Sequence, residues 1–305
     1  MFCILCNISI YLLENYYNME DIMATFTNQA TLRYNGNVVN SNITTGELLE
    51  VLSATKTAVI DTYNQESDIT YVINIVNSGT IGFTGISITD NLGEYTFGTG
   101  TLVPLTYVAG SVLYYVNGTL QSAPVVTAGP PLTISGLVVP AGGVTTVIYV
   151  ARANQYAPLD LGSIITNTAV INGGGVTEIT VTETVTPESG AKLTVAKSVC
   201  PRTITENGRL TYTFVIQNVG NTPAVATDNV GITDQFNPIL TDLIVTFNDV
   251  TWIEGTNYTY LETTGIFASI PGQITIPAAT YTQDPVTGEW IVEPGVSVLT
   301  VTGTV

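Results

Sequence analysis

The chain contains three lysines, and two of them stand at matching positions in two similar stretches of sequence. Lys56 lies in "ATKTAVI" and Lys197 lies in "LTVAKSV". In a β-strand alternate residues share a face, so each lysine shares its face with apolar neighbours. A charge on an apolar face is costly unless it is paired. Both lysines are therefore expected to have polar partners inside a β-domain.

Candidate partners fall on similar apolar faces elsewhere in the chain. Asp90 ends "ISITD", Asp234 ends "VGITD", and Asn167 lies in "IITNTAVI". Near the start of the chain "FTNQATL" places Asn28 on one face with three apolar residues, Phe26, Ala30 and Leu32. Lysine, aspartate and asparagine thus recur together on faces that point toward a core.

These three residue types can form a covalent cross-link. Burial favours the neutral lysine amine, which is a nucleophile. A buried, protonated aspartate can donate a hydrogen bond to the asparagine carbonyl and carry protons. The amine then attacks the side-chain amide, and ammonia leaves. The alternative is a buried Lys–Asp ion pair beside a hydrogen-bonded asparagine, without covalent chemistry.

The elements that position these residues occur in two copies. Short alternating strands are separated by Gly, Pro, Asn and Asp turns, which is typical of an all-β sandwich or barrel. Self-similarity identifies two repeats, in which 54–92 parallels 195–236 and 138–153 parallels 291–305. We therefore predict two tandem β-domains, at 51–186 and 187–305.

The second repeat lacks its last strand. The first repeat ends with "GSIITNTAVI", whereas nothing equivalent follows the second, and the matching stretch stands at the N-terminus. Asn28 precedes Lys56 by 28 residues, and Asn167 precedes Lys197 by 30. We predict a donor strand at 23–35, a polar linker at 36–50, and a second domain that accepts a strand from another copy. A fragment of a longer repeat protein is the alternative.

The Lys-x-Val, Asn-x-Gly, "ITD" and "ITNTA" elements together resemble the bacterial conserved surface-repeat domains of unknown function, family number eleven. That resemblance implies immunoglobulin-like sandwiches. The chain is also similar to the isopeptide-bearing modules of Gram-positive pili and adhesins, in which a first-strand lysine joins a last-strand asparagine beside a catalytic acid. The permuted N-terminal strand departs from both patterns.

The resemblance implies one cross-link within the chain and one between chains. Lys56 would join Asn167 with Asp90 as the catalytic acid. Lys197 and Asp234 would wait for Asn28 of the next copy. A donor at one end and an acceptor at the other form a heterologous contact, which generates rings or open filaments. We predict an open head-to-tail filament of identical subunits.

Composition narrows the function classes further. The chain has no histidine, 7 basic and 24 acidic residues, and a formal charge of −17. This balance disfavours nucleic acid as a partner, and no catalytic triad, zinc motif or nucleotide-binding fingerprint is present. We expect no cofactor, no metal, no membrane span and no turnover enzyme.

The expected location is extracellular, on a cell or spore surface. A surface-displayed adhesin or stalk module with an unknown ligand is the alternative function.

Residues 1–22 are expected to be an over-called start or a disordered leader. The codons for Met19–Met23 can read through GGAGGA just before the Met23 codon, which is the pattern of a bacterial ribosome-binding site. Cys3 and Cys6 lie in this segment as an isolated C-x-x-C, and Cys200 is the third cysteine. No disulfide framework is therefore predicted.

Overall fold

The structure, a computed structural model, describes residues 23–305, so residues 1–22 with Cys3 and Cys6 lie outside it. The described residues form β-strands and one short 3-10 turn at Ala226–Asp228, which confirms the all-β prediction. Contacts divide the chain after Leu52 into two compact units.

The first unit contains a β-hairpin with two arms. Its strands are β1 Met23–Asn28, β2 Thr31–Tyr34, β3 Asn37–Asn40 and β4 Thr44–Leu49. β1 pairs with β4, and β2 pairs with β3, around a turn at Asn35 and Gly36, both of which have positive φ. Here the structure differs from the prediction: most of 36–50, predicted as a linker, forms the second arm.

The second unit begins with a β-sandwich. Its strands are β5 Leu52–Ala58, β6 Thr62–Tyr63, β7 Asp68–Asn77, β8 Phe83–Asp90, β9 Tyr95–Phe97, β10 Gly100–Leu102, β11 Leu105–Tyr107, β12 Leu113–Val116, β13 Thr119–Leu120, β14 Val125–Ala128, β15 Leu132–Val139, β16 Val144–Ala153, β17 Ile165–Gly173 and β18 Ile179–Pro187. One sheet has the order β13-β12-β16-β7-β5, and the facing sheet has the order β14-β15-β8-β17-β18-β6. We call this the first sandwich.

A smaller sandwich follows in the same unit. Its strands are β19 Leu193–Cys200, β20 Arg209–Asn218, β21 Thr233–Gln235, β22 Thr241–Phe247, β23 Val250–Trp252, β24 Tyr258–Leu261, β25 Ile266–Ser269, β26 Thr280–Gln283, β27 Trp290–Glu293 and β28 Gly295–Thr304. One sheet has the order β19-β20-β28-β22-β23, and the other has β21-β25-β24. We call this the second sandwich.

Alternating burial produces a separate core in each sandwich. β7 and β16 bury every second side chain, and so does β28 in the second sandwich. In the second core the largest side chains include Phe236 and Phe267, whose ring centroids lie 6.0 Å apart. This period-two pattern is the one that the sequence predicts for half-buried strands.

Two equivalent asparagines show how closely the sandwiches correspond. The side-chain amide of Asn77 donates to two backbone oxygens, those of Ile81 at 2.8 Å and Pro140 at 3.0 Å. Asn218 donates in the same way to the carbonyls of Thr222 at 2.8 Å and Pro277 at 3.0 Å. Each also accepts from the second residue after it, a glycine N–H, at 2.9 Å.

The correspondence breaks at one edge of the second sandwich. In the first sandwich β8 lies between β15 and β17, and β18 covers the far side of β17. In the second, β21 is the counterpart of β8 and pairs with β25 on one side only. Within the described chain the second sandwich thus lacks a hairpin where the first has β17 and β18, rather than one strand.

Candidate functional site

The first sandwich brings Lys56, Asp90 and Asn167 together. Lys56 lies on the edge strand β5 of one sheet, whereas Asp90 ends β8 and Asn167 lies on β17 in the facing sheet. The side chains of Lys56 and Asp90 are fully buried, and Asn167 is buried as well. The alternating faces read from the sequence thus converge between the two sheets.

Short polar contacts join these groups. The Lys56 amine lies 2.6 Å from Oδ2 of Asp90 and donates to the backbone oxygen of Asn167 at 2.9 Å. The Leu92 N–H donates to Oδ1 of Asp90 at 2.9 Å. Among the described groups, Oδ1 of Asn167 is buried without a hydrogen-bond partner. A buried carbonyl oxygen without a donor is costly, so this atom is ready to accept a proton or a hydrogen bond.

Two tyrosines on the same sheet as Lys56 complete this site. The hydroxyl of Tyr149 donates to Oδ2 of Asp90 at 2.5 Å and accepts from Nδ2 of Asn167 at 3.2 Å. Tyr71 pairs with Tyr149 across neighbouring strands, and their rings stack with centroids 5.4 Å apart. The Lys56 amine lies 5.0 Å from the centre of the Tyr71 ring. The acid and the amide are thus bridged by one hydroxyl group.

Burial governs the protonation of these side chains. Desolvation lowers the pKa of Lys56 to about 8, although the charge of Asp90 and the hydrogen bond to it oppose this change. Burial also raises the pKa of Tyr149 well above its usual value, and the nearby Asp90 carboxylate adds to this effect. Burial raises the pKa of Tyr71; the Asn167 amide opposes this increase, although no hydrogen bond of normal geometry joins the two groups. A neutral amine is therefore accessible near neutral pH.

The second sandwich places Lys197 and Asp234 together in a more open setting. The Lys197 amine contacts Oδ2 of Asp234, but 39% of the lysine side chain and 17% of the aspartate side chain are exposed. The amine lies 4.6 Å from the centre of the Tyr212 ring and 5.5 Å from that of Phe236. The expected burial of Lys197 is not found, because the strands that cover Lys56 in the first sandwich have no counterpart in the second among residues 23–305.

The asparagine predicted to complete this site lies in the other unit. Asn28 ends β1 and pairs with Thr44. Asn28 is exposed, and so are the three residues predicted to share its face, Phe26, Ala30 and Leu32. Their exposure leaves this face of the hairpin without a core of its own.

Sequence reasoning missed the tyrosines of the first site. Tyr71 and Tyr149 occupy inward positions of β7 and β16, where a buried hydroxyl needs a polar partner. Asp90 and Asn167 meet that requirement for Tyr149, whereas the Tyr71 hydroxyl is buried without a hydrogen-bond partner among the described groups. Alternation places both tyrosines on the inward face but gives no distance to the acid or the amide. Val301 stands at the place of Tyr149 in the second sandwich, since it pairs with Tyr212 as Tyr149 pairs with Tyr71.

Two other kinds of feature are absent from residues 23–305. No group of three or more potential metal-binding side chains was found there. The described residues also contain no helix with the length and apolar character needed to span a bilayer. Cys200 is a free, exposed thiol.

Comparisons with known proteins give distant matches in structure alone. No family model matches the chain, and no curated protein matches it. The pilus backbone of Streptococcus pneumoniae matches with 10% identity and a TM-score of 0.32, over 80% of this chain and 55% of that one. This chain therefore corresponds to little more than half of that protein's length.

Two further solved structures are similar at the same level. A D312A variant of the major pilin subunit of Bacillus cereus has 12% identity and a TM-score of 0.35, over 89% of this chain and 73% of that one. The collagen adhesin of S. aureus has 11% identity and a TM-score of 0.29, over 48% and 55%.

Proposed function

We propose that this chain is the structural subunit of an extracellular or spore-surface filament, assembled by donation of β-structure between copies and locked by Lys–Asn isopeptide bonds. The observation that carries the proposal is the presence of a complete Lys56, Asp90 and Asn167 site beside a second site in which the described residues place Lys197 and Asp234 together without an asparagine. The missing asparagine is supplied by Asn28 of the next copy.

The bond within the first sandwich forms in one turnover. The Lys56 amine passes a proton to Asp90, and its lone pair attacks Cγ of Asn167. The protonated carboxyl supports the developing charge on Oδ1, which is buried without another donor. The new C–N bond replaces the bond from Cγ to Nδ2, and the amide nitrogen leaves as ammonia after Asp90 carries a proton from the amine to it.

The same chemistry joins one copy to the next. Only Glu50 and Val51 separate β4 from β5, so the hairpin is tethered to the first sandwich. To complete the second sandwich of its own chain, the hairpin would have to extend past the first sandwich. The hairpin of a neighbouring copy has no such constraint. The contact uses different surfaces on the two copies, so it generates an open filament wherever the rotation between copies does not close into a ring.

The proposal is tested by the intact mass of protein that begins at Met23, measured after boiling in denaturant. Each isopeptide bond removes ammonia, about 17 Da. The expected monomer is short by one ammonia, and each junction in the SDS-resistant multimers removes one more. Lys56→Ala is the control, since its monomer should keep the full mass. If the wild-type monomer keeps its full mass and no multimers form, both sites hold ordinary ion pairs and the proposal is wrong.

Tyr149→Phe is expected to slow the bond within the first sandwich by about tenfold or more. The hydroxyl bridges Asp90 and Asn167, and a hydrogen bond to a charged group contributes about 1.5–3 kcal/mol. The measurement is the fraction of monomer that has lost about 17 Da at intervals after a pulse of synthesis.

Tyr114→Phe is the matched control for that experiment. Tyr114 is also buried, and its hydroxyl bonds the Val138 backbone, away from the lysine site. Its loss should reduce stability without slowing the cross-link. If both phenylalanine variants slow the reaction equally, Tyr149 acts through general packing and has no particular role in positioning the acid.

A further inference from the structure

The N-terminal hairpin matches the β17–β18 hairpin in its pairing as well as in its first strand. Asn28 pairs with Thr44, and Asn167 pairs with Glu183, so each asparagine faces the residue sixteen positions later. Both hairpins have glycine with positive φ at the tip, Gly36 in one and Gly174 in the other. The two hairpins thus have the same number of residues between the asparagine and its partner, and in both the strand with the asparagine comes first in the chain.

In the first sandwich the second arm of this hairpin is part of the core. Val185 on β18 is fully buried. β18 also pairs with β6, through Thr186 with Thr62 and Pro187 with Tyr63. A single inserted strand would therefore leave part of such a core open. In the second sandwich Ile204, which packs against the core while still partly exposed, corresponds to Tyr63 of β6.

One cross-strand pair shows that the two arms are built as a unit. Phe26 pairs with Gly46, whereas the equivalent pair in the first sandwich is Ile165 with Val185. A Cβ added to Gly46 would overlap the Phe26 ring. The hairpin thus pairs a large side chain with a glycine, whereas the first sandwich pairs two side chains of medium size. The packed volume of the two pairs is therefore similar.

Both arms also present apolar side chains to solvent. In the described part of the hairpin at least half of the surface is exposed for six large residues, Phe26, Leu32, Tyr34, Val38, Val39 and Ile43. Val38, Val39 and Ile43 belong to the second arm. A two-stranded hairpin is marginally stable alone in water, and a polar linker would have no need of these residues.

From these observations we infer that the donor is the whole hairpin, residues 23–49, and that β4 takes in the second sandwich of another copy the place that β18 takes in the first. The inference rests on the proposed function. It assigns the acceptor surface to the open edge of β21 together with the exposed face around Lys197, and its occupant is a second copy of this chain. Each junction between copies then repeats the arrangement inside the first sandwich.

A double-mutant comparison in the full chain tests this inference. Gly46→Val forces Val against the Phe26 ring, so SDS-resistant ladders should form about tenfold more slowly. Phe26→Ile combined with Gly46→Val recreates the pair found at Ile165 and Val185, and it should restore the rate to within about threefold. Thr127→Val, at an exposed position of β14 and outside both the hairpin and the acceptor surface, is the matched control and should leave the rate unchanged.

The outcomes separate the inference from the proposed function. If the wild-type protein forms ladders and the Gly46→Val variant forms them at the same rate, the inference that the whole hairpin is the donor is wrong. The proposed filament would still stand. A defect that Phe26→Ile fails to correct would overturn the assigned pairing. If wild-type protein forms no ladder, the filament itself is refuted. In every variant the loss of about 17 Da from the monomer checks that the first sandwich has folded.

Discussion

Lys197→Ala is expected to yield polymers that assemble but separate into monomers in hot SDS. The donated hairpin still closes the open edge and covers apolar surface, so non-covalent assembly persists. The Lys197 amine is the only nucleophile proposed for the junction, so its removal should abolish the ladder entirely. The monomer should still lose about 17 Da, because its own cross-link uses Lys56.

Lys192→Ala is the matched control, since Lys192 is the third lysine of the chain. It forms an exposed ion pair with Glu188 at 3.4 Å and contacts Asn64. Surface pairs of this kind contribute about 0–1 kcal/mol. Its removal should therefore keep the ladder. A Lys197→Ala ladder that survives boiling would refute the assigned junction, and loss of the ladder in Lys192→Ala would point to a general effect of lysine removal.

Residue alternation predicted that three polar side chains face a core, and the structure brings these side chains together. Lys56, Asp90 and Asn167 each stand among apolar residues at period two, and any two packed sheets bring such faces together. Their spacing along the chain is far larger than their separation in space. The repeat linked them, because Lys197 and Asp234 stand at the corresponding points of the second half and Asn28 stands in the matching stretch near the N-terminus.

The second arm of the N-terminal hairpin could not be predicted in the same way. "GNVVNSNITTGELLE" has adjacent valines and no sustained alternation, so its composition resembles a linker. Its strands are determined by pairing with β1 and β2, which is a non-local property. Propensity for strands depends strongly on such context. The exposure of Lys197 is likewise a consequence of missing neighbours and does not follow from its own stretch of sequence.

The tyrosines illustrate a third limit. An inward tyrosine on a sheet is usually a packing residue, and the sequence gives no distance between its hydroxyl and a distant acid. The partner of Tyr149 is Asp90, which lies on the facing sheet. Because Val301 stands where the first sandwich has Tyr149, we expect the proposed cross-link between copies to form more slowly than the one proposed within the first sandwich.

A circularly permuted chain is expected to remain monomeric. In it the order becomes residues 51–305, a loop with the sequence of residues 154–164, and then residues 23–50. That loop joins β16 to β17 in the first sandwich, so it has the length needed to carry a hairpin from β28 to the edge of β21. The hairpin then completes the second sandwich of its own chain, and no donor is left for a neighbour.

The permuted chain should carry both isopeptide bonds internally and lose about 34 Da without any ladder. Asn28→Ala in the permuted chain should reduce this loss to about 17 Da and leave the protein monomeric, because the hairpin still docks. The comparison isolates connectivity, since the natural and permuted chains present the same hairpin and the same acceptor. Ladders from the permuted chain would mean that some other surface joins the copies. A monomer that lacks the second loss of ammonia would mean that Asn28 does not reach Lys197, even when tethered beside it.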